Sequence, residues 1–286
     1  MTQGAKTKYG IGATSTVDTA FEVKSFGLVS TKPHLNANGM RGTRSAIAER
    51  TIEGVEDVAG PIVMSPNITE LGAWLTRCGF SESTGTYSLT EGLTAFYLAA
   101  DKVTKVPVYS GCYVGSAVMR ASKNVPWEWT FNVIGQQDTP GNAGTFPAIS
   151  ITEAPPLALH HATLTLLGSA RSFEEVTVTI DNVLDVRSNN AAFNNLIEPS
   201  DRIITIDLLL PYTTANADLL DQGIDGDDAA TLVFTYGDYV ATFTFGNLKF
   251  PRGAVEVPGK TGLMLRLSGQ AYMTGTTREL VITLAS

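Results

Sequence analysis

A two-residue rhythm limits what this chain can fold into. From Phe21 to Leu284, short stretches of alternating apolar and polar side chains recur, many of them β-branched. Successive side chains of an extended strand point to opposite faces, so such stretches bury one face of a sheet and cannot make the apolar stripe of a helix. Strands are expected at Phe21–Val29, Ala59–Met64, Thr94–Ala99, Val106–Cys112, Ser116–Ala121 and Trp127–Ile134. A second series covers Ala162–Leu167, Glu175–Val186, Arg202–Leu210, Ala230–Tyr236, Tyr239–Phe245, Gly262–Ser268 and Glu279–Leu284.

Helical signals are few. In the run from Ser65 to Leu75, a polar cap and an early acid precede Leu71, Trp74 and Leu75 at helical spacing, and Gly79 follows as a stop. The run from Pro211 to Gly223 repeats that plan with a short Leu219-Leu220 face. The two helices have the same surroundings. Val58 to Pro66 aligns with Ile203 to Pro211 at a displacement of 145, taking the prolines as anchors. Trp127 to Gln136 matches Thr261 to Gln270 at 134, each ending in Gly-Gln, and Ala20 to Leu28 matches Val176 to Leu184 at 156. Each half thus reads strand, long loop, strand, short helix, antiparallel strands.

The expected fold is mainly β: two tandem β-sandwich or barrel domains, each with one short flanking α-helix. The first, residues 1–150, carries an N-terminal arm and a C-terminal linker; the second spans residues 151–286. The Gly-, Pro- and Thr-rich segment Gln137 to Pro156 reads as the linker. A chain of 286 residues with 43% hydrophobic and 17% charged residues suits an ordinary globular protein. Met1 to Tyr9 is polar and lacks a signal-peptide stretch, so cytosolic synthesis is expected. Cys78 and Cys112, one in a helix and one in a strand, are expected to be free thiols.

The charge is lopsided. Residues 1–150 carry 12 basic and 12 acidic side chains and residues 151–286 carry 8 and 16, leaving the net −8 entirely in the second half. Such a chain, with no basic stripe, is poorly suited to gripping nucleic-acid phosphates.

Catalytic and metal signatures do not assemble. Gly10-Ile11-Gly12-Ala13 lacks the strand before and helix after that a dinucleotide fingerprint needs, and reads as a flexible terminal arm. His160 and His161 have no cysteine partner, and Asp221, Asp225, Asp227 and Asp228 lack an EF-hand's spacing, so a solvated loop is expected there. No enzyme activity, cofactor or metal is expected. What remains is structural. Trp127 and Trp129 share one face of a strand, as a core or subunit-interface anchor. The long polar loops Ser30–Ala46 and Ser188–Ser200 follow the first strand of each half, and Arg41, Arg44 and Arg50 crowd the first of them, as expected of a contact with a partner.

The stretch Met40 to Ser45, then Arg50 to Met64, then Pro66 to Leu71 resembles the first-domain pattern of bacteriophage major tail proteins, the tail tube family, and the arrangement is similar over essentially the whole chain. In that family a β-sandwich or barrel with a flanking helix contributes four strands to a barrel shared with its neighbours, in rings of six domains that stack into a hollow tube. The resemblance implies self-assembly, here as trimeric pseudo-hexameric rings of duplicated chains. It also implies a conduit for DNA ejection through which DNA passes without specific binding, and a place in the virion tail after assembly in the host cytoplasm. The implied partners are a tape-measure protein, a tail terminator and baseplate or tip proteins, with no membrane anchor. Arg41, Arg44, Arg50, Trp127 and Trp129 are then candidates for contacts between subunits or rings, and Asp207, alternating with Ile206 and Leu208, for the bore. A capsid decoration, head-completion or baseplate protein, and a carbohydrate-binding β-sandwich, are the alternative readings.

Overall fold

The computed structural model describes residues 7–37, 45, 48–103, 105–139, 146, 154–220, 228–251, 254–256 and 262–286. The protein is mainly β. The first half contains β1 (Lys8–Gly12), β2 (Thr19–Phe21), β3 (Ser25–Phe26), β4 (Val29–Thr31), β5 (His34–Asn36), β6 (Thr51–Glu53) and β7 (Asp57–Met64). After helix α1 (Ile68–Arg77) come β8 (Phe80–Ser83), β9 (Thr86–Leu89), β10 (Phe96–Asp101), β11 (Val108–Ser122), β12 (Glu128–Gly135) and β13 (Gln137–Thr139). The second half contains β14 (Ala162–Leu166), β15 (Ser169–Arg171), β16 (Glu175–Asp181), β17 (Leu184–Arg187), β18 (Leu196–Pro199) and β19 (Ile203–Pro211). It ends with β20 (Asp228–Tyr236), β21 (Tyr239–Lys249), β22 (Ala254–Glu256), β23 (Met264–Ala271) and β24 (Leu280–Ala285).

The pairing order is the same in both halves. In the first, β3 and β4 lie along β7, β7 pairs β12, and β12 pairs the later part of β11. In the second, β16 pairs β19, β19 pairs β23, and β23 pairs β22 and the end of β21. The other layer runs β2–β1–β10–β11–β13 in the first half and β15–β14–β20–β21–β24 in the second. The hairpins β5–β6 and β17–β18 leave the sheet at matching places.

Loop hydrogen bonds repeat too. Gly54 N donates to Pro33 O and Ser200 N to Val183 O; Lys24 N donates to Val63 O and Glu174 N to Leu209 O. Gly54 with Ser200 and Val63 with Leu209 are both separated by 146 positions, and Pro33 with Val183 and Lys24 with Glu174 by 150. These values correct the alignment anchored on prolines. A displacement of 145 sets buried Ile62 against half-exposed Asp207, whereas 146 sets it against buried Leu208. A one-residue slip turns every side chain to the other face, so the core selects 146. The first-strand displacement is 150 rather than 156. The last is 136 rather than 134, since Val58 faces Gly135 while Ile204 faces Ala271.

One core runs through both halves. Trp74 of α1 stacks on Phe131 and meets Phe21 and Phe96 edge-on. Trp129 stacks against Phe243 and Trp127 packs on Phe234, joining first-half to second-half aromatics. Helix α1 is fixed by a capping box: Asn67 Oδ1 accepts the Glu70 amide at 2.9 Å and Glu70 Oε2 accepts the Asn67 amide at 3.1 Å. Ile68, Leu71, Trp74 and Leu75 are buried beneath it.

Three expectations change. The second-half helix is a single 3-10 turn, Ala217–Leu220, with only Leu219 buried, too small an apolar face to hold a full helix. Lys8–Gly12 is a strand between β2 and β10, not a free arm: Ile11 is buried, and an added Cβ at Gly12 would sit 2.8 Å from Thr16 O. The stretches 106–112 and 116–121 fuse into the 15-residue β11, which turns from one layer to the other at Gly111, where φ is +57°. Elsewhere the expected alternation holds along β16 and β19, where every second residue is buried, whereas the stretch Phe21–Val29 is divided among β2, β3 and β4 and Glu175–Val186 between β16 and β17.

Trp129 is fully buried among Phe131, Trp127 and Phe243. Trp129→Ala is expected to lower stability by about 3–5 kcal/mol, read from denaturant midpoints at unchanged m-value.

Candidate assembly surfaces

The two halves are joined edge to edge. Seven residues of β11 pair with β16, from Ser116 opposite Asp181 to Ser122 opposite Glu175. Arg120 clasps Glu175 across this seam, Nε to Oε1 at 2.7 Å. At its end Asn182, which is buried, donates from its backbone to Gly115 O at 2.7 Å and from Nδ2 to Cys78 O and Val114 O. In the other layer β24 pairs β9, and Arg202 reaches Thr90 O at 2.7 Å while pairing with Glu279 at 3.2 Å.

The same sheet ends in two open edges. Among the described residues β4 pairs only with β7, and β22 only with β23. β22 stands to β23 as the later part of β11 stands to β12: Ala254 faces Arg266 as Val118 faces Thr130, each residue 136 positions from its counterpart. At the opposite edge Val29 is 51% exposed. A backbone edge carrying an exposed valine is a surface ready to pair with another strand.

Opposite the core, the long sheet shows a second face. Ile206 and Leu208 are buried, so Asp207 points the other way, half-buried, with Thr205, Thr177 and Ser268 beside it. Along β11, β12, β16, β19 and β23 this face carries Glu128, Glu175, Asp181 and Asp207 against Arg120 and Arg266, among threonines and serines. Acid exceeds base on it.

Beyond the seam, the segment between β17 and β18 lies on the start of β7. Glu56 bridges to Phe193 and its amide donates to Ala192 O at 2.8 Å. Asn194 Nδ2 donates to Asp57 Oδ1 at 3.1 Å, and Gln136 Nε2 to Asn195 O at 3.2 Å. Glu56 is itself buried. Burial disfavours its ionised form, but the Ser30 hydroxyl, the Asp138 amide and Lys32, 3.3 Å away, outweigh this and hold the carboxyl below the ordinary range. Asp138 is pushed the other way, by burial first and then by the Glu56 charge.

The model of the phage tail tube protein family matches residues 4–271. The chain belongs to the phage tail tube protein family. No curated protein matches it in sequence. A phage tail tube protein is a structural component of the virion tail, not a member of an enzyme class; it self-assembles into a tube and associates with other tail proteins.

The structure of this tail tube protein sorts the candidate residues. Trp127 and Trp129 are fully buried within the chain, and Trp127 Nε1 donates to Pro66 O at 2.8 Å, so neither offers a surface to a partner. This corrects the subunit-contact reading: two indoles on one strand face belong to the joint core of the halves. Arg50 is exposed at the end of the 3-10 turn Ala48–Arg50, just before β6. Arg41 and Arg44 lie outside the described residues, as do Asp221, Asp225 and Asp227. His161 caps a turn, its Nδ1 accepting the Ala158 amide at 3.2 Å. Cys78 and Cys112 are buried free thiols. Among the described residues no metal-binding group of three ligands occurs and no helix is long and apolar enough to cross a membrane. Glu56 was missed, because nothing in the local pattern separates it from a surface acid.

The two acids should respond oppositely to substitution. Glu56→Gln is expected to cost about 1–3 kcal/mol at neutral pH and to speed amide exchange at 192–195. Because its folded-state value is depressed, Glu56 stabilises above the ordinary carboxylate range and ceases to as pH falls through the folded value, so the variant's acid limb should be flatter. Asp138→Asn should raise the neutral-pH Tm, since ionised Asp138 is disfavoured in the fold.

Proposed function

We propose that this chain is the subunit of a phage tail tube in which each half, residues 1–150 and 151–286, is one tube domain, and three chains close a pseudo-hexameric ring. The observation that carries this reading is the β11·β16 seam. One half already joins the other by pairing the edge of its long sheet, and the two remaining edges of that long sheet among the described residues are the counterparts of those two strands. β22 then pairs with β3 and β4 of a neighbour. Val118 opposite Thr179 becomes Ala254 opposite Val29, through the displacements of 136 and 150 given by the strand and loop pairings.

Closing the sheet removes its last free edges, which makes association through backbone hydrogen bonds self-limiting around the ring. The face bearing Asp207 lines the bore in this arrangement. DNA adheres to proteins through cationic contacts, and a surface with more carboxylates than guanidiniums gives few of them, so DNA passes during ejection without being held. Assembly takes place in the host cytoplasm around a tape-measure protein, with a terminator above and baseplate or tip proteins below. The β5–β6 hairpin, which stands apart from the long sheet, reaches towards the next ring.

Purified protein examined by electron microscopy is expected to form rings and hollow tubes whose averages show three-fold symmetry. Monomers alone at high concentration under every salt condition would overturn self-assembly. Rings of six chains, each filling one domain position, would overturn the two-domain reading. Since the stretch Ser30–Ala46 begins with the end of β4 and contains β5, the replacement that tests stacking is that of residues 37–47 by a short linker, which spares both strands and is expected to block stacking while rings still form.

A further inference from the structure

At the end of the strands where β17–β18 docks within the chain, the second half has a corresponding but uncovered surface. Asp57 and Gln136, which hold the segment 192–195, correspond to Ile203 and Tyr272 at the displacements of 146 and 136. Both are apolar or aromatic and exposed, at 38% and 41%, and Met273 beside them is 50% exposed. Lys249 Nζ lies 5.8 Å from the centre of the Tyr272 ring.

The matching chemistry has changed on the other side as well. Asn194, which donates to Asp57, lies three residues before Ile197 of β18; Ala48 lies three before Thr51, the residue of β6 that corresponds to Ile197. Where the joint inside the chain is Asn194 on Asp57, its counterpart is Ala48 and Ile203. A polar pair has been exchanged for an apolar pair at both positions together, and Ala48 is exposed.

We propose that Ile203, Tyr272 and Met273 form a seat for the segment preceding β6 of a second copy of this chain, with Ala48 of the partner subunit against Ile203. The inference rests on the reading that copies join as the halves do, and it adds a side-chain contact outside the paired strands. Arg50, two residues beyond Ala48, lies at the rim of that contact. Burying exposed apolar surface favours the association, and the polar joint and the apolar joint reject each other's partners, because a crossed pairing leaves Asp57 or Asn194 without its hydrogen bond.

The test uses the full chain with Ala48→Cys and Ile203→Cys, oxidised mildly. Cys78 and Cys112 are buried and burial pushes both thiols up, so they stay silent. Bands of two and three linked chains are expected in assembled material and none in dilute monomer. A control pair, Asp57→Cys with Asn194→Cys, should close within one chain at every concentration. Assembly seen by microscopy with no linked chains, while the control closes, overturns the seat and leaves the ring reading standing. Failure of the unmodified chain to assemble overturns both. As a second readout, Ile203→Asp is expected to weaken assembly about tenfold, and adding Ala48→Asn to restore it by rebuilding the Asn–Asp pair. Ile203→Asp without effect also removes the seat.

Discussion

A strand at the edge of a sheet leaves one row of amide and carbonyl groups without strand partners, and that requirement organises this molecule. Inside the chain it is met by laying β11 against β16 and β9 against β24. Neither pairing is decorative. Asn182 spends its backbone and side-chain donors at the seam, and Arg202 ties Glu279 to the Thr90 carbonyl. The aromatic core depends on the same alignment, because Trp127 and Trp129 meet Phe234 and Phe243 only when the two sheets are in register.

The strands were legible because a half-buried sheet writes its pattern directly into the chain. Along β16, Val176, Val178 and Ile180 are buried while Thr177 and Thr179 are not, and such alternation survives any tertiary detail. The first helix was legible for a similar local reason, since Asn67 and Glu70 cap it and Ile68, Leu71, Trp74 and Leu75 face inward. Register was another matter. Prolines look like natural anchors, yet Pro66 lies beyond the end of β7 whereas Pro211 is the last residue of β19, so aligning them shifts one strand by a residue. Only the buried face reveals the shift.

What escaped the sequence depends on distant neighbours. Gly10 and Gly12 look like a flexible arm until β2 and β10 are placed on either side, where the lack of side chains permits close approach. Two tryptophans on one strand face signal a large contact without saying whether the other side is the same chain. Glu56 and Ile203 are ordinary residues in ordinary strand contexts. The first is buried by a segment more than a hundred residues away, and the second keeps an exposed side chain.

The seam between β11 and β16 lies within one polypeptide, and this changes its thermodynamics. A junction between separate molecules dissolves on dilution, because its population follows concentration. A tethered junction does not, and it forms at an effective concentration set by the connecting segment. In the proposed ring every subunit therefore arrives with one such joint already made, and only the remaining edges of the long sheet answer to mass action. Of the free energy spent on bringing bodies together in solution, that share was settled when the chain was synthesised.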